Sequence, residues 1–103
     1  MTDRQDRLGG LLGLGVRAGN VVIGVSGVRA RLQRGRIAVV VVAADASPRT
    51  RDKVERLARA CGVPVLAGPV AERLGAQLGR APVQTVGTED RALARGLMRI
   101  SEE

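Results

Sequence analysis

Apolar positions recur at helical intervals near the start of the chain, where Leu8, Leu11, Leu12 and Val16 follow Thr2 and Gln5, a pair spaced as a capping box. The pattern predicts a first helix from about Asp3 to Ala18, stopped by Gly19. Gly9, Gly10, Gly13 and Gly15 fall inside it. Each glycine costs a helix interior about 1 kcal/mol against alanine, so their presence predicts close approach of a neighbouring element. Val21 to Ile23 then reads as a short strand. After Gly24, Val25, Val28 and Leu32 mark the inward stripe of a second helix ending at Gly35, with Arg29, Arg31 and Arg34 on its other faces.

Ile37 to Ala43 is almost purely β-branched, the signature of a strand buried on both faces, and is expected at the centre of a sheet. Ser47 and Pro48 signal the start of a third helix with Val54, Leu57, Ala58 and Cys61 inward; Cys61 is read as a small core residue. Val63 to Leu66 is a third strand, placed at an edge by Pro64. A turn at Gly68 and Pro69 leads to a fourth helix, Val70 to Leu78, with Val70, Leu74 and Leu78 inward. Val83 to Val86 is the fourth strand. Thr88 is the expected cap of a last helix carrying Leu93, Leu97 and Ile100, and Ser101 to Glu103 is expected to fray. Helices alternating with short strands predict an α/β fold, a three-layer α/β/α sandwich around a four-stranded mixed sheet. At 103 residues, the chain is expected to form one domain, residues 1–103.

The chain holds no Phe, Tyr, Trp or His, so aromatic base-stacking platforms and histidine-dependent catalysis are excluded. The lone Cys61 makes no intramolecular disulfide and no Cys/His metal site, and no metal or cofactor is called for. The longest apolar run, Ile37 to Ala44, is far shorter than the roughly 20 residues of a membrane-spanning helix. Met1 to Arg7 carry two acids and two arginines rather than a signal-peptide core, which predicts a cytoplasmic location.

Net charge is +7, and 16 of the 17 basic residues are arginine, a bias that fits either phosphate recognition or the base composition of a genome. Residues 1 to 36 hold seven arginines against two aspartates, a local charge of +5. Arg29, Arg31, Arg34 and Arg36 crowd into eight positions without an acid, which suits a polyanionic partner or a solvated helix face. The stretch from Gly13 to Gly19 imitates a dinucleotide loop, but no strand precedes it and no acidic residue follows at the required distance. The acidic residues lie mostly on exposed helix faces or at helix starts, and with one lysine and no histidine a general base near neutral pH is hard to assemble. The composition therefore favours a binding protein over an enzyme, with no small-molecule substrate.

From Gly24 to Gly35 the chain reads Gly-Val-Ser-Gly-Val-Arg-Ala-Arg-Leu-Gln-Arg-Gly, followed by the Ile37 to Ala43 strand and by Ala43-Ala44-Asp45-Ala46-Ser47-Pro48. With Arg17-Ala18-Gly19, Val63-Pro64-Val65 and Leu74-Gly75 in the same order, the chain resembles the ribosomal protein L-seven-Ae/L-thirty-e superfamily, and in particular its short bacterial members, from about Leu8 to Ile100.

The resemblance implies binding to a sharply bent, kink-turn-like RNA internal loop, with the glycine-led start of the second helix facing sheared G·A pairs and the loop after the third strand covering extruded bases. Carried over by position, the RNA-binding residues would be Arg17, Asn20, Gly24, Val25, Ser26, Gly27, Arg29, Arg31, Arg36, Leu66, Ala67 and Gly68. Ser26 and Gly27 stand where the family pattern often has Asn and Glu, and Ala30 where it often has Lys. These departures shift the expected contact from base readout toward arginine–phosphate contacts. The partner implied is structured RNA, ribosomal RNA among the candidates. The alternative is a protein-interaction or assembly module that keeps the scaffold without specific RNA readout.

Overall fold

Val39, Val40, Val41 and Val42 are all buried and form β2 (Val39–Val42), an inner strand of the sheet, as a β-branched run flanked on both faces by helices requires. The computed structural model describes residues 3–103, in which α1 (Arg4–Arg17), β1 (Val21–Ile23) and α2 (Val25–Gln33) precede β2. After it come α3 (Pro48–Ala60), β3 (Val65–Ala67), α4 (Ala71–Gln77), β4 (Thr85–Thr88) and α5 (Arg91–Ser101). The sheet order is β1-β4-β2-β3, with β2 parallel to β3 and antiparallel to β4, and β4 antiparallel to β1. The mixed four-stranded sheet, the α/β/α layers and the edge position of β3 are as the sequence predicts.

Helices α2 and α3 pack together on one face of the sheet, and α1 packs with α4 and α5 on the other. Three of the four α1 glycines are contact points. A Cβ on Gly9 would run into the Gln77 side chain, one on Gly13 would lie 3.2 Å from the Gln77 carbonyl, and one on Gly15 would come 2.6 Å from Leu93 and 2.7 Å from Val21. The expected close approach is thus met by α4, β1 and α5, while Gly10 faces open space.

Several boundaries move for identifiable reasons. Strand β4 begins two residues later than the apolar pattern implies, because the Val83 amide donates to the Ala71 carbonyl at 3.0 Å and the Gln84 carbonyl accepts from Ala43 at 2.8 Å, outside the ladder. Thr88 ends β4 rather than capping α5. Its buried hydroxyl donates to the Asn20 carbonyl at 2.5 Å and accepts from the Asp90 amide, while Asp90 caps α5 by accepting from Leu93. Val70 is 46% exposed, not inward, because it is the extended N-cap residue of α4. Cys61 is exposed at the C-cap of α3, its thiol 3.3 Å from the Leu32 carbonyl, so the inward face of α3 relies on Val54 and Ala58. Of the expected capping box, Thr2 lies outside the described residues, and Asp3 caps α1 by accepting from Asp6.

The C-terminus is held, not frayed. Arg4 donates to the Glu103 backbone carbonyl at 2.7 Å, and Arg7 pairs with the Glu103 side chain. The hydrogen bond from Arg7 holds the Glu103 carboxyl below its ordinary value of 4.5 and raises Arg7 in turn. A carboxylate lowered on folding contributes stability above its unfolded pKa and loses it as pH falls through the lowered value. Titration of Glu103 by NMR is therefore expected to give a midpoint below 4.5 that Arg7→Gln returns toward 4.5.

The glycines make a paired stability prediction. A Cβ on Gly75 would strike the Ala81 carbonyl and come within 2.9 Å of Pro82 Cα, both backbone, so Gly75→Ala should destabilise by about 2 kcal/mol through overpacking. Gly10→Ala, in open space inside α1, should stabilise by about 0.5 to 1 kcal/mol. Urea denaturation of the two variants measures both.

Candidate nucleic-acid interface

Helix α2 starts without a side-chain cap, because its N-cap residue is Gly24 at φ 103°, a backbone conformation that L side chains rarely adopt. Gly24 donates to the Thr85 carbonyl at 2.8 Å and accepts from Val28 at 3.1 Å. The amides of Val25, Ser26 and Gly27 therefore have no partner within the helix. The other helices are served differently: Asp3, Ser47 and Asp90 cap α1, α3 and α5, and Asp45 Oδ1 accepts from the Ala71 amide of α4 at 2.7 Å. With no acidic residue in its first turn, α2 offers three free donors and the positive end of its dipole, a ready site for an anion.

The sheet sets this helix start beside the loop that follows β3. Val42 pairs with Thr85 on one side and with Ala67 on the other, so Gly24, Thr85, Val42 and Ala67 form a row across one end of the sheet. Gly68 extends the row by donating to the Val42 carbonyl at 2.8 Å, and Ala44 donates to the Pro69 carbonyl at 3.1 Å. Gly68 itself is buried, and a Cβ there would lie 2.8 Å from Val41 Cγ1; it shapes the loop and presents no surface. The loop instead exposes Ala67 and Val70, with Leu66 half-buried. Val70 is an apolar contact that helical spacing hides, since only the extended backbone before α4 turns it outward.

Beneath and along α2, two polar groups are closed to solvent without a hydrogen-bond partner: the Thr85 hydroxyl and Arg29 Nε. Thr85 is fully buried, whereas Arg29 is half-buried on the turn after Ser26, so its guanidinium is the cation nearest the free amides in sequence. Ser26 and Ala30 are exposed. Gly27 lies against β1, where a Cβ would come 2.9 Å from Val22 Cγ1, so packing disfavours a side chain at this position.

The remaining residues carried over from the sequence resemblance lie at the other end of the sheet. Helix α2 covers about 13 Å at 1.5 Å per residue, and Arg31 and Arg36 follow from its C-terminal half, near Asn20 and the end of β4. Both pair with Glu89, Arg36 at 3.1 Å and Arg31 at 3.6 Å. The Asn20 amide donates to Asp90 at 3.0 Å and ties the start of β1 to the cap of α5. Arg17 closes α1 at the same end, beside Gly79. The structure thus divides the twelve residues into Gly24, Val25, Ser26, Gly27, Arg29, Leu66, Ala67 and Gly68 on one side and Arg17, Asn20, Arg31 and Arg36 on the other. Sequence order alone offers no sign of Glu89, which follows a strand and precedes a cap.

Among the described residues, no group of three or more His, Cys, Asp or Glu side chains comes together to hold a metal, and no helix is long and apolar enough to cross a membrane. The Asp45 contact generates a local prediction. Asp45→Ala removes the acceptor from the start of α4 and should cost about 1 kcal/mol, with hydrogen exchange quickening at Ala71 before it does in β2.

A family model described as the ribosomal protein L7Ae/L30e/S12e/Gadd45 family matches residues 6–97. Among solved structures, a protein with unknown function from Bacillus halodurans C matches with a TM-score of 0.89 and 26% identity, over 94% of this chain and 98% of that one. A Giardia lamblia 15.5kD RNA binding protein matches with a TM-score of 0.78 and 21% identity, over 92% of this chain and 82% of that one, a likeness of fold. No curated protein matches.

Proposed function

Because this chain belongs to the ribosomal protein L7Ae/L30e/S12e/Gadd45 family, we propose that it is a non-catalytic RNA-binding protein that docks the start of α2 and the loop after β3 on a kink-turn-like RNA. The observation that carries this reading is the uncapped α2 N-terminus set in one row with that loop. Free amides of Val25, Ser26 and Gly27 approach phosphate or base-edge acceptors at close range, since Gly24 presents no side chain in between. Arg29, half-buried one turn after Ser26, adds positive charge beside the free amides. Ala67 and Val70 give an unstacked base an apolar surface. With little side-chain chemistry aimed at bases, shape and phosphate contacts dominate, and affinity falls steeply with salt.

In this reading, residues 1–103 act as one RNA-binding domain in a ribonucleoprotein, structured RNA is the partner with ribosomal RNA among the candidates, and the location is cytoplasmic. A second reading, an assembly module that keeps the scaffold, draws on Gly27 and Ala30, which leave the α2 face without long polar side chains. Nuclease treatment separates the two: an RNA binder loses its association, and an assembly module keeps it.

Ser26→Asp tests the proposal without threatening the fold, because an acid in the first turn of α2 favours the helix while repelling an anion. Binding to a kink-turn RNA should fall at least tenfold with an unchanged or slightly higher Tm. Unchanged binding would overturn the reading.

A further inference from the structure

Helix α5 carries Arg91, Arg95 and Arg99 at i, i+4 and i+8, with no acid between Arg91 and Ser101. All three are exposed, and none has an ion-pair partner within 4.0 Å among the described residues. Residues four apart on a helix stand about 5 to 6 Å apart, so the guanidinium groups form an evenly spaced row. Beside this row, two shallow concavities of about 330 and 340 Å³ share Ala38 and Arg91. Together they make one groove that runs from Gly35, Arg36 and Glu89 past Arg91 to Arg95 and Met98. The groove lies at the end of the sheet where Ala38 donates to the Thr88 carbonyl, away from Gly24 and Gly68.

We infer that this groove is a second RNA-binding surface, which takes the phosphodiester backbone of a duplex, and that Glu89 restrains it by occupying Arg31 and Arg36. The inference rests on the RNA-binding reading above. Three features select the occupant. A row of cations at regular spacing matches a repeating anion, where a small anion would need only one of them. The groove has no aromatic ring on which an unstacked base could lie, so a paired backbone suits it better than a single strand. It also lacks an exposed large apolar side chain to anchor a protein partner, since among the described residues those are Leu14 and Val70, neither of which lines it.

Among the described residues, Glu89 is the one acid lining the groove. Its carboxylate satisfies Arg36 at 3.1 Å and Arg31 at 3.6 Å with all three side chains at least one-third exposed. Exposed pairs of this kind are weak and exchange partners readily. A phosphate arriving at Arg36 and Arg91 therefore competes with Glu89 and meets its negative charge.

The test uses the full chain, a kink-turn RNA and a plain duplex of equal length, with affinities measured over a range of salt. Arg91→Gln with Arg95→Gln should weaken duplex binding about tenfold and reduce the slope of log K against log salt by about two. Glu89→Gln should strengthen duplex binding about threefold, a gain that misfolding cannot imitate. If both variants leave duplex affinity and salt slope at the parent values, the groove is overturned, whatever the kink-turn result. If Ser26→Asp leaves kink-turn preference intact while the groove variants behave as expected, the α2 reading fails and the groove stands. Binding of polyglutamate that depends on Arg91 and Arg95, with duplex affinity unchanged in the variants, would overturn the assignment to RNA.

Discussion

A hydrophobic core made only of Val, Leu, Ile and Ala side chains has to bring its layers close together, because no aromatic ring is available to fill the space between them. That constraint organises the molecule. Gly9, Gly13 and Gly15 let α1 settle onto α4, α5 and β1; a Cβ on Gly96 would come 3.0 Å from Leu11, a tight contact; Gly87 in β4 lies below Val28 of α2. The helix propensity lost at these positions is offset by burial of Leu8, Leu12, Leu97 and the four valines of β2, which close approach alone makes possible.

The same economy of side chains leaves the start of α2 uncapped. Where α1, α3 and α5 begin with an acid or a serine folded back on the first turn, α2 begins with a glycine whose amide is committed to β4. Its next three amides face outward from the sheet end that also carries the Gly68 loop. Backbone supplies the donors, the helix dipole supplies the sign, and the rigid ladder from Thr85 through Val42 to Ala67 supplies the spacing. A Cβ at position 27 would come 2.9 Å from Val22 Cγ1, so a side chain there requires β1 to shift, which ties Gly27 to the packing of that strand.

Charge is distributed by the fold rather than by sequence position. The first third of the chain contains a dense basic stretch, yet α2 splits it: Arg29 stays near the free amides, and Arg31 and Arg36 are carried to the opposite end, where Glu89 meets them. There they join Arg91 and Arg95, which lie some sixty residues further along the chain. Two basic regions of different character result, one built on backbone donors and one on arginine side chains.

Much of this was legible in the residues themselves. Period-3.6 and β-branched runs determined the order of elements, the inner position of β2 and the mixed α/β/α architecture, and Pro64 the edge position of β3, because those signals are local or concern burial on both faces. Glycine at 24 and a proline-led third helix were readable for the same reason. What tertiary structure decided is everything that depends on a partner distant in sequence: that Thr88 bonds to Asn20 and yields the α5 cap to Asp90, that β4 starts at Thr85 because Val83 and Gln84 are engaged elsewhere, that Val70 turns outward, and that Glu89 closes on Arg31 of α2 and on Arg36 just beyond it. Hydrogen bonds and ion pairs form between groups that folding brings together, and no periodicity along the chain records which distant residue will arrive.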